Sequence, residues 1–117
     1  MTLREKQSLF AEQLTRLLVW LHKTGYEVTL DEAYRPPELA ELYAKQGRGS
    51  RNSLHCLKLA IDLNIFREGK LLSKPTDFKP IGDFWKSLHP LAAWGGDFTG
   101  KTAGDYRHFS LEHEGRK

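Results

Sequence analysis

The chain has 117 residues, of which 39% are hydrophobic and 28% are charged, and its formal net charge is +3. These values are typical of a globular protein, not a disordered one, and they suit a single domain over residues 1–117 with one core. One cysteine excludes an internal disulfide framework, and no stretch approaches the roughly 20 apolar residues of a membrane span. Residues 1–6 lack the apolar run of a signal peptide. We therefore expect synthesis in a cytoplasm, no stable membrane insertion and assisted exit.

The first half of the chain predicts a helix, a strand and a second helix. Apolar residues recur at helical spacing in the first segment: Phe10, Leu14, Leu17, Leu18 and Leu21. Residues 26–31 then alternate between apolar and polar, which indicates a half-buried strand that leads to Arg35. Pro36 and Pro37 suit the first turn of the second helix, and Gly47 ends it. Residues 47–52 form a basic loop that either grips an anionic peptide or is a solvated connector.

The second half predicts more strands and one more helix. Residues 57–65 alternate cleanly and form the strongest predicted strand, and residues 67–70 suit a hairpin turn into a short strand. The third helix has an apolar face: Ile81, Phe84, Trp85 and Leu88. Residues 108–111 alternate as a last strand, and we expect the polar tail, residues 112–117, to fray. This order favours an α+β fold, with a small antiparallel sheet packed against about three helices.

Two short stretches bring together groups that could bind a metal. Residues 53–62 contain His55 and Asp62, and residues 105–108 contain Asp105 and His108. Two histidines and one acid around an open coordination position form a known kind of catalytic zinc site. The remaining carboxylate could then act as a general base.

The spacing of these residues requires a bend in the chain. His55 and Asp62 are seven positions apart, which corresponds to about 23 Å in a straight strand and about 10.5 Å in a helix. Neither distance allows both side chains to bind one ion. We therefore expect the chain to fold His55 back over the strand of Asp62. Side chains three positions apart on a strand point to opposite faces, so we expect Asp105 to lie on the turn before a strand that carries His108.

The pattern Ser-x-His-x-x-x-x-Ala-x-Asp, with an acid three residues before a second His, resembles the zinc D-Ala-D-Ala carboxypeptidase/dipeptidase (VanX/VanY-like) family. It is most similar to the phage L-alanyl-D-glutamate endopeptidase endolysins, whose hedgehog/DD-peptidase-like fold it implies. Residues 94–98 (Trp-Gly-Gly-Asp-Phe) and residues 33–35 (Ala-Tyr-Arg) also resemble segments of this family. The resemblance extends over most of the chain.

The resemblance assigns roles by position. It implies three ligands for Zn²⁺: His55, Asp62 and His108. It implies that Asp105 is the catalytic base, that Arg35 stabilises the oxyanion and that Ser53 contacts the substrate. The residues themselves leave other roles open, since Asp105 could orient His108, Arg35 could form a surface ion pair, and Ser53 could cap the local turn.

The chain departs from the family pattern at a few positions. Lys58 stands where the family usually has Gly, so we expect a different local turn there. Pro36 and Pro37 replace the usual Ser after Arg35. The base is Asp105, whereas the dipeptidases have Glu, which indicates the endopeptidase branch.

By resemblance, the substrate is the stem peptide of peptidoglycan, and the hydrolysed bond joins L-Ala to D-Glu. The resemblance also implies a monomeric endolysin that stays in the host cytoplasm until a holin opens the membrane, and then acts in the periplasm and cell wall. A D-Ala-D-Ala carboxypeptidase or dipeptidase, and a non-catalytic zinc-binding cell-wall module, are the alternatives. Nucleic acid is not an expected partner, because the positive charge is modest and no basic and aromatic stripe is present.

Overall fold

The computed structural model describes residues 1–117 and contains three helices, five strands and three short 3₁₀ turns. The helices are α1 (Leu3–Lys23), α2 (Pro37–Lys45) and α3 (Pro75–Ser87). The strands are β1 (Tyr26–Leu30), β2 (Ala60–Arg67), β3 (Lys70–Leu71), β4 (Ala92–Trp94) and β5 (His108–Leu111). The 3₁₀ turns are Leu54–Leu57, Gly95–Asp97 and Gly100–Thr102. The predicted α+β class is confirmed.

The five strands form one antiparallel sheet in which β2 has the central place. The strand order is β1-β2-β5-β4, and β3 pairs with the far end of β2. In the pairing of β2 with β5, Asp62 lies directly opposite His108. Residues opposite each other in an antiparallel pair point to the same face of the sheet. The register therefore places these two side chains together.

The core is built around Trp85, which is fully buried on α3. Its ring makes edge contacts with Phe10 of α1 and with Phe109 of β5, at centroid distances of 5.8 and 6.0 Å. Its indole N–H donates to the carbonyl oxygens of Ala93 and Ser110, at 2.9 and 3.2 Å. Trp85 thus links α1 and α3 to the strands β4 and β5 at one side of the sheet.

Several element boundaries differ from the predicted ones. β2 begins at Ala60, because Leu57 belongs to the preceding 3₁₀ turn. α3 begins at Pro75, six residues before the predicted apolar face starts at Ile81, and contains Pro80 in its interior. The strand β4 was not predicted. None of the three helices combines the length and the apolar character that crossing a membrane requires.

Candidate metal centre

His55, Asp62 and His108 lie together, and their nearest ligand atoms are all within 4.8 Å of one another. His55 reaches this position because the 3₁₀ turn Leu54–Leu57 folds it back towards β2, as the spacing had predicted. Ser53 caps this turn, with its Oγ accepting a hydrogen bond of 3.2 Å from the His55 backbone N–H. Ser53 also lines the cleft beside the cluster, so the capping role is present and the position suits a substrate contact.

Lys58 ends the turn in the left-handed conformation, with φ 58° and ψ 37°. This is the backbone region that Gly adopts at little cost. The expectation of a different local turn is therefore wrong: Lys58 adopts the conformation that a Gly would adopt. Its Nζ lies 5.4 Å from the centre of the Tyr34 ring.

Both histidines are buried, and each has one ring nitrogen hydrogen-bonded to a main-chain oxygen. Nδ1 of His55 lies 2.9 Å from the Ala33 oxygen, and Nε2 of His108 lies 3.0 Å from the Lys117 oxygen. A main-chain oxygen only accepts, so each of these nitrogens carries the hydrogen of the neutral ring. The other nitrogens, Nε2 of His55 and Nδ1 of His108, lie 3.5 and 3.6 Å from Oδ1 of Asp62. Each neutral ring thus has a lone pair on the nitrogen nearest the carboxylate.

The donor atoms suit a zinc ion. Tetrahedral ligands at about 2.1 Å from Zn²⁺ are separated by about 3.4 Å, close to the 3.5 and 3.6 Å separations of the two ring nitrogens from Oδ1 of Asp62. This oxygen is buried and has no hydrogen-bond partner, which is costly for a carboxylate unless an ion satisfies it. Burial opposes ionisation of Asp62, but a positive charge on His108 or His55, when the ring is protonated, outweighs it and lowers the pKa of the carboxyl. A bound cation would favour the ionised carboxylate in the same way.

Asp105 lies in the turn before β5, as predicted. Its carbonyl oxygen accepts a hydrogen bond of 3.1 Å from the His108 backbone N–H, and its Oδ2 lies 3.7 Å from Nδ1 of His108. The side chain is about half exposed. Burial raises the pKa of Asp105, although His108 opposes the shift. The carboxylate therefore borders the cluster without belonging to the three clustered donors.

The glycines at positions 95 and 96 make the position of Asp105 possible. A Cβ on Gly95 would lie 1.9 Å from the Asp105 carbonyl oxygen, and a Cβ on Gly96 would lie 2.1 Å from the Trp94 ring. The Trp94 indole N–H donates to the Tyr106 carbonyl at 2.8 Å. The Trp-Gly-Gly segment thus packs directly against the turn that carries Asp105.

Arg35 is held beside the cluster by Glu32, a residue that the sequence analysis did not identify. Nε of Arg35 donates to Oε1 of Glu32 at 2.8 Å, and Nη2 contacts the same oxygen. Burial opposes the charge, but Glu32 outweighs it and raises the pKa of the guanidinium. The Arg35 backbone N–H donates to the His55 carbonyl at 3.1 Å. Nη1 of Arg35 makes no hydrogen bond within the chain.

The cluster lies in a cleft of about 700 Å³, a size typical of small-molecule and short-peptide sites. Leu54 and Phe98 are its only hydrophobic lining residues. Apart from the predicted site residues, the polar walls come from three loops: Gly49, Ser50 and Asn52; Asp97, Thr99 and Thr102; and Gly115, Arg116 and Lys117. The tail expected to fray therefore forms part of the cleft wall.

The chain is similar in sequence to one protein family and in fold to a solved structure. A family described as D-alanyl-D-alanine carboxypeptidase matches residues 46–111, more than half of the chain, and this span includes the clustered residues and Asp105 but not Arg35. The fold is similar to the crystal structure of the Serratia marcescens L-Ala D-Glu endopeptidase ChiX, with a TM-score of 0.66 and 17% sequence identity, over 85% of this chain and 77% of that chain. The search of curated protein sequences found no match.

Proposed function

The chain belongs to the D-alanyl-D-alanine carboxypeptidase family, and from this premise we propose that it is a zinc-dependent peptidoglycan peptidase that hydrolyses the L-Ala–D-Glu bond of the stem peptide. This membership confirms the family that the sequence resembles. It also confirms the prediction that the protein is a peptidase. The observation that carries the proposal is the convergence of His55, Asp62 and His108 within 4.8 Å in a polar cleft. In this proposal the three residues bind Zn²⁺, which supplies a Lewis acid at the scissile carbonyl.

Asp105 is the proposed general base. Its carboxylate borders the cluster and is partly exposed to the cleft, so it can reach a water molecule beside a bound peptide. Oδ2 of Asp105 accepts a proton from this water while the water oxygen forms a bond to the carbonyl carbon. Oδ2 then passes the proton to the nitrogen of the breaking peptide bond, so one carboxylate serves both steps.

Arg35 and Ser53 are proposed to bind and orient the substrate. Glu32 fixes the guanidinium through Nε and Nη2, so Nη1 is the group available to a carbonyl oxygen that gains negative charge. Such a fixed donor stabilises the transition state more than a mobile one, because no reorganisation accompanies the reaction. Ser53 borders the cleft next to His55, and its hydroxyl is within reach of the same peptide.

Two observations support an endopeptidase. The protein of similar fold is an L-Ala D-Glu endopeptidase, and the proposed base is Asp, as the resemblance to the endopeptidase branch implies. The description of the matched family favours the alternative, a D-Ala-D-Ala carboxypeptidase or dipeptidase. Both reactions use the same chemistry on the same wall polymer and differ in the bond that is cut.

A muropeptide digest separates these possibilities. Gram-negative peptidoglycan would be incubated with zinc-loaded protein, with a chelated sample and with the Asp105→Asn variant, and the products read by mass spectrometry. We expect free D-Glu amino termini from the loaded wild type alone, because Asn cannot accept the proton. Release of only D-Ala would establish the carboxypeptidase. No cleavage despite bound zinc would favour a non-catalytic zinc-binding module.

The endolysin role stays a prediction from the resemblance, as do the holin-dependent access, the location in the host cytoplasm before lysis and the monomeric state. Lysis of cells that co-express a holin, compared with cells that express the protein alone, tests the first three. Sedimentation of the purified protein tests the last.

A further inference from the structure

The last residues of the chain form a tight hairpin turn against the metal centre. His113 and Arg116 pair across this turn, and Glu114 and Gly115 between them have φ values of 49° and 79°. Positive φ at both central residues characterises the type I′ turn, which reverses the chain within two residues. The reversal brings the main-chain oxygen of Lys117 back to β5.

The main-chain oxygen of Lys117 lies within hydrogen-bond distance of two buried side chains of β5. Nε2 of His108 lies 3.0 Å away and Oγ of Ser110 lies 2.6 Å away. Because the two residues are two positions apart on a strand, they point to the same face of the sheet. A single acceptor therefore satisfies both donors, and it holds the imidazole of His108 from the side opposite Asp62.

Contacts with other elements fix the turn in place. Lys6 of α1 donates from Nζ to the Glu112 carbonyl at 3.2 Å. The Arg116 guanidinium donates from Nη1 to the Asn52 carbonyl at 3.0 Å, in the loop that leads to His55. The segment is thus held at its start by α1 and near its end by a wall of the cleft.

We propose that residues 112–117 are a positioning element of the metal centre, in which the main-chain oxygen of Lys117 fixes His108 with Nδ1 directed at Asp62. The inference rests on the proposed function, because it takes His108 as a ligand of the metal. Loss of the hydrogen-bonding partner of a metal-binding His typically weakens metal affinity by about 10–100-fold. We expect a loss of this size when the main-chain oxygen of Lys117 is displaced.

The chain contains a matched control for this turn. Glu68 and Gly69, between β2 and β3, repeat the dipeptide with φ values of 53° and 76°. A Cβ added at Gly69 or at Gly115 meets no atom within 4 Å, so replacement by Val strains the backbone in both turns without a clash. Only Gly115→Val displaces the main-chain oxygen of Lys117.

Two further variants protect the test against a folding defect. Deletion of residues 114–117 removes the turn together with the acceptor, so it introduces no strained residue. Lys117→Ala removes the side chain but keeps the main-chain oxygen, so zinc affinity should stay at the wild-type value. Circular dichroism verifies that each variant is folded.

Zinc affinity would be measured by competition with a chromophoric chelator. We expect wild type and Gly69→Val to bind equally, and Gly115→Val and the 114–117 deletion to bind about 10–100-fold more weakly. In the zinc-free protein, ¹⁵N-histidine NMR should show an exchange-protected Nε2–H on His108 that Gly115→Val loses and Gly69→Val keeps. Wild-type affinity in Gly115→Val and in the deletion overturns the positioning role alone. No zinc binding by the wild type overturns the proposed function as well.

Discussion

Among single residues, Lys58 shows how a local departure from the family pattern is accommodated. It ends the turn that carries His55 with a φ of 58°, in the region that disfavours any residue with a Cβ. We expect Lys58→Gly to raise the free energy of unfolding by about 0.5–1 kcal/mol, because relief of the strain exceeds the extra flexibility of Gly in the unfolded chain. Urea denaturation measures this change.

Lys70 provides the control for this substitution. It is exposed on β3 and is not among the residues with positive φ. Lys70→Gly should therefore lower the free energy of unfolding by about 0.5–1 kcal/mol, the usual cost of Gly in a strand. A loss of similar size from Lys58→Gly would mean that the contact of Lys58 with the Tyr34 ring outweighs the backbone strain.

At the scale of elements, the sequence predicted the helices and strands that have a repeating apolar pattern or a clear local turn signal. The long helix α1 and the alternation through β2 were both visible, because many residues repeat one pattern. The strand β4 has three residues, too few for a pattern. The hydrogen bond from His108 to Lys117 depends on tertiary folding, so no local pattern predicts it. The sequence shows only a dipeptide that suits a tight turn, Glu114-Gly115.

In the candidate site too, local features were predictable from the sequence and contacts made by tertiary folding were not. The spacing from His55 to Asp62 required a bend, and the structure contains one, but the spacing could not determine which strand would pair opposite Asp62. The pairing of Glu32 with Arg35 was missed because an acid three residues from an Arg is common in any surface segment. The resemblance predicted the roles of the residues. The register of β2 with β5 is what places Asp62 beside His108.

The turn Gly95–Asp97 supports a prediction at this scale. A Cβ on Gly95 would lie 1.9 Å from the Asp105 carbonyl oxygen, so Gly95→Ala must displace one of the two turns. We expect a loss of about 1–3 kcal/mol in stability from overpacking. Because an error of about 1 Å in a catalytic group can cost about 10²-fold in rate, kcat on muropeptides should fall by that factor.

The comparison with Gly69→Ala separates misplacement of Asp105 from general destabilisation. Gly69 has a φ of 76° and lies in the distant β2–β3 turn, so Ala there costs stability through strain alone. Zinc affinity of Gly95→Ala should stay close to the wild-type value, since Asp105 is not one of the three clustered donors. Wild-type kcat in Gly95→Ala would show that the turn does not position the base.

At the scale of the whole molecule, the three donors connect parts of the chain that are distant in sequence. His55 lies in the turn before β2, Asp62 on β2 and His108 on β5. An unfolded chain does not hold them together, so an ion that binds the native cluster stabilises the entire fold. At a zinc concentration of 100 times Kd the gain is about 2.7 kcal/mol, which for a chain of this size raises Tm by about 10 °C.

Thermal unfolding with zinc and with a chelator measures this shift. His55→Ala removes one donor and should abolish most of it, whereas His22→Ala removes an exposed histidine of α1 outside the cluster and should keep it. Comparing the zinc-dependent shift within each variant cancels any change in the stability of the metal-free protein. An equal shift in His55→Ala would mean that zinc binds elsewhere, and the cluster would then hold Asp62 buried beside two histidines for structural reasons alone.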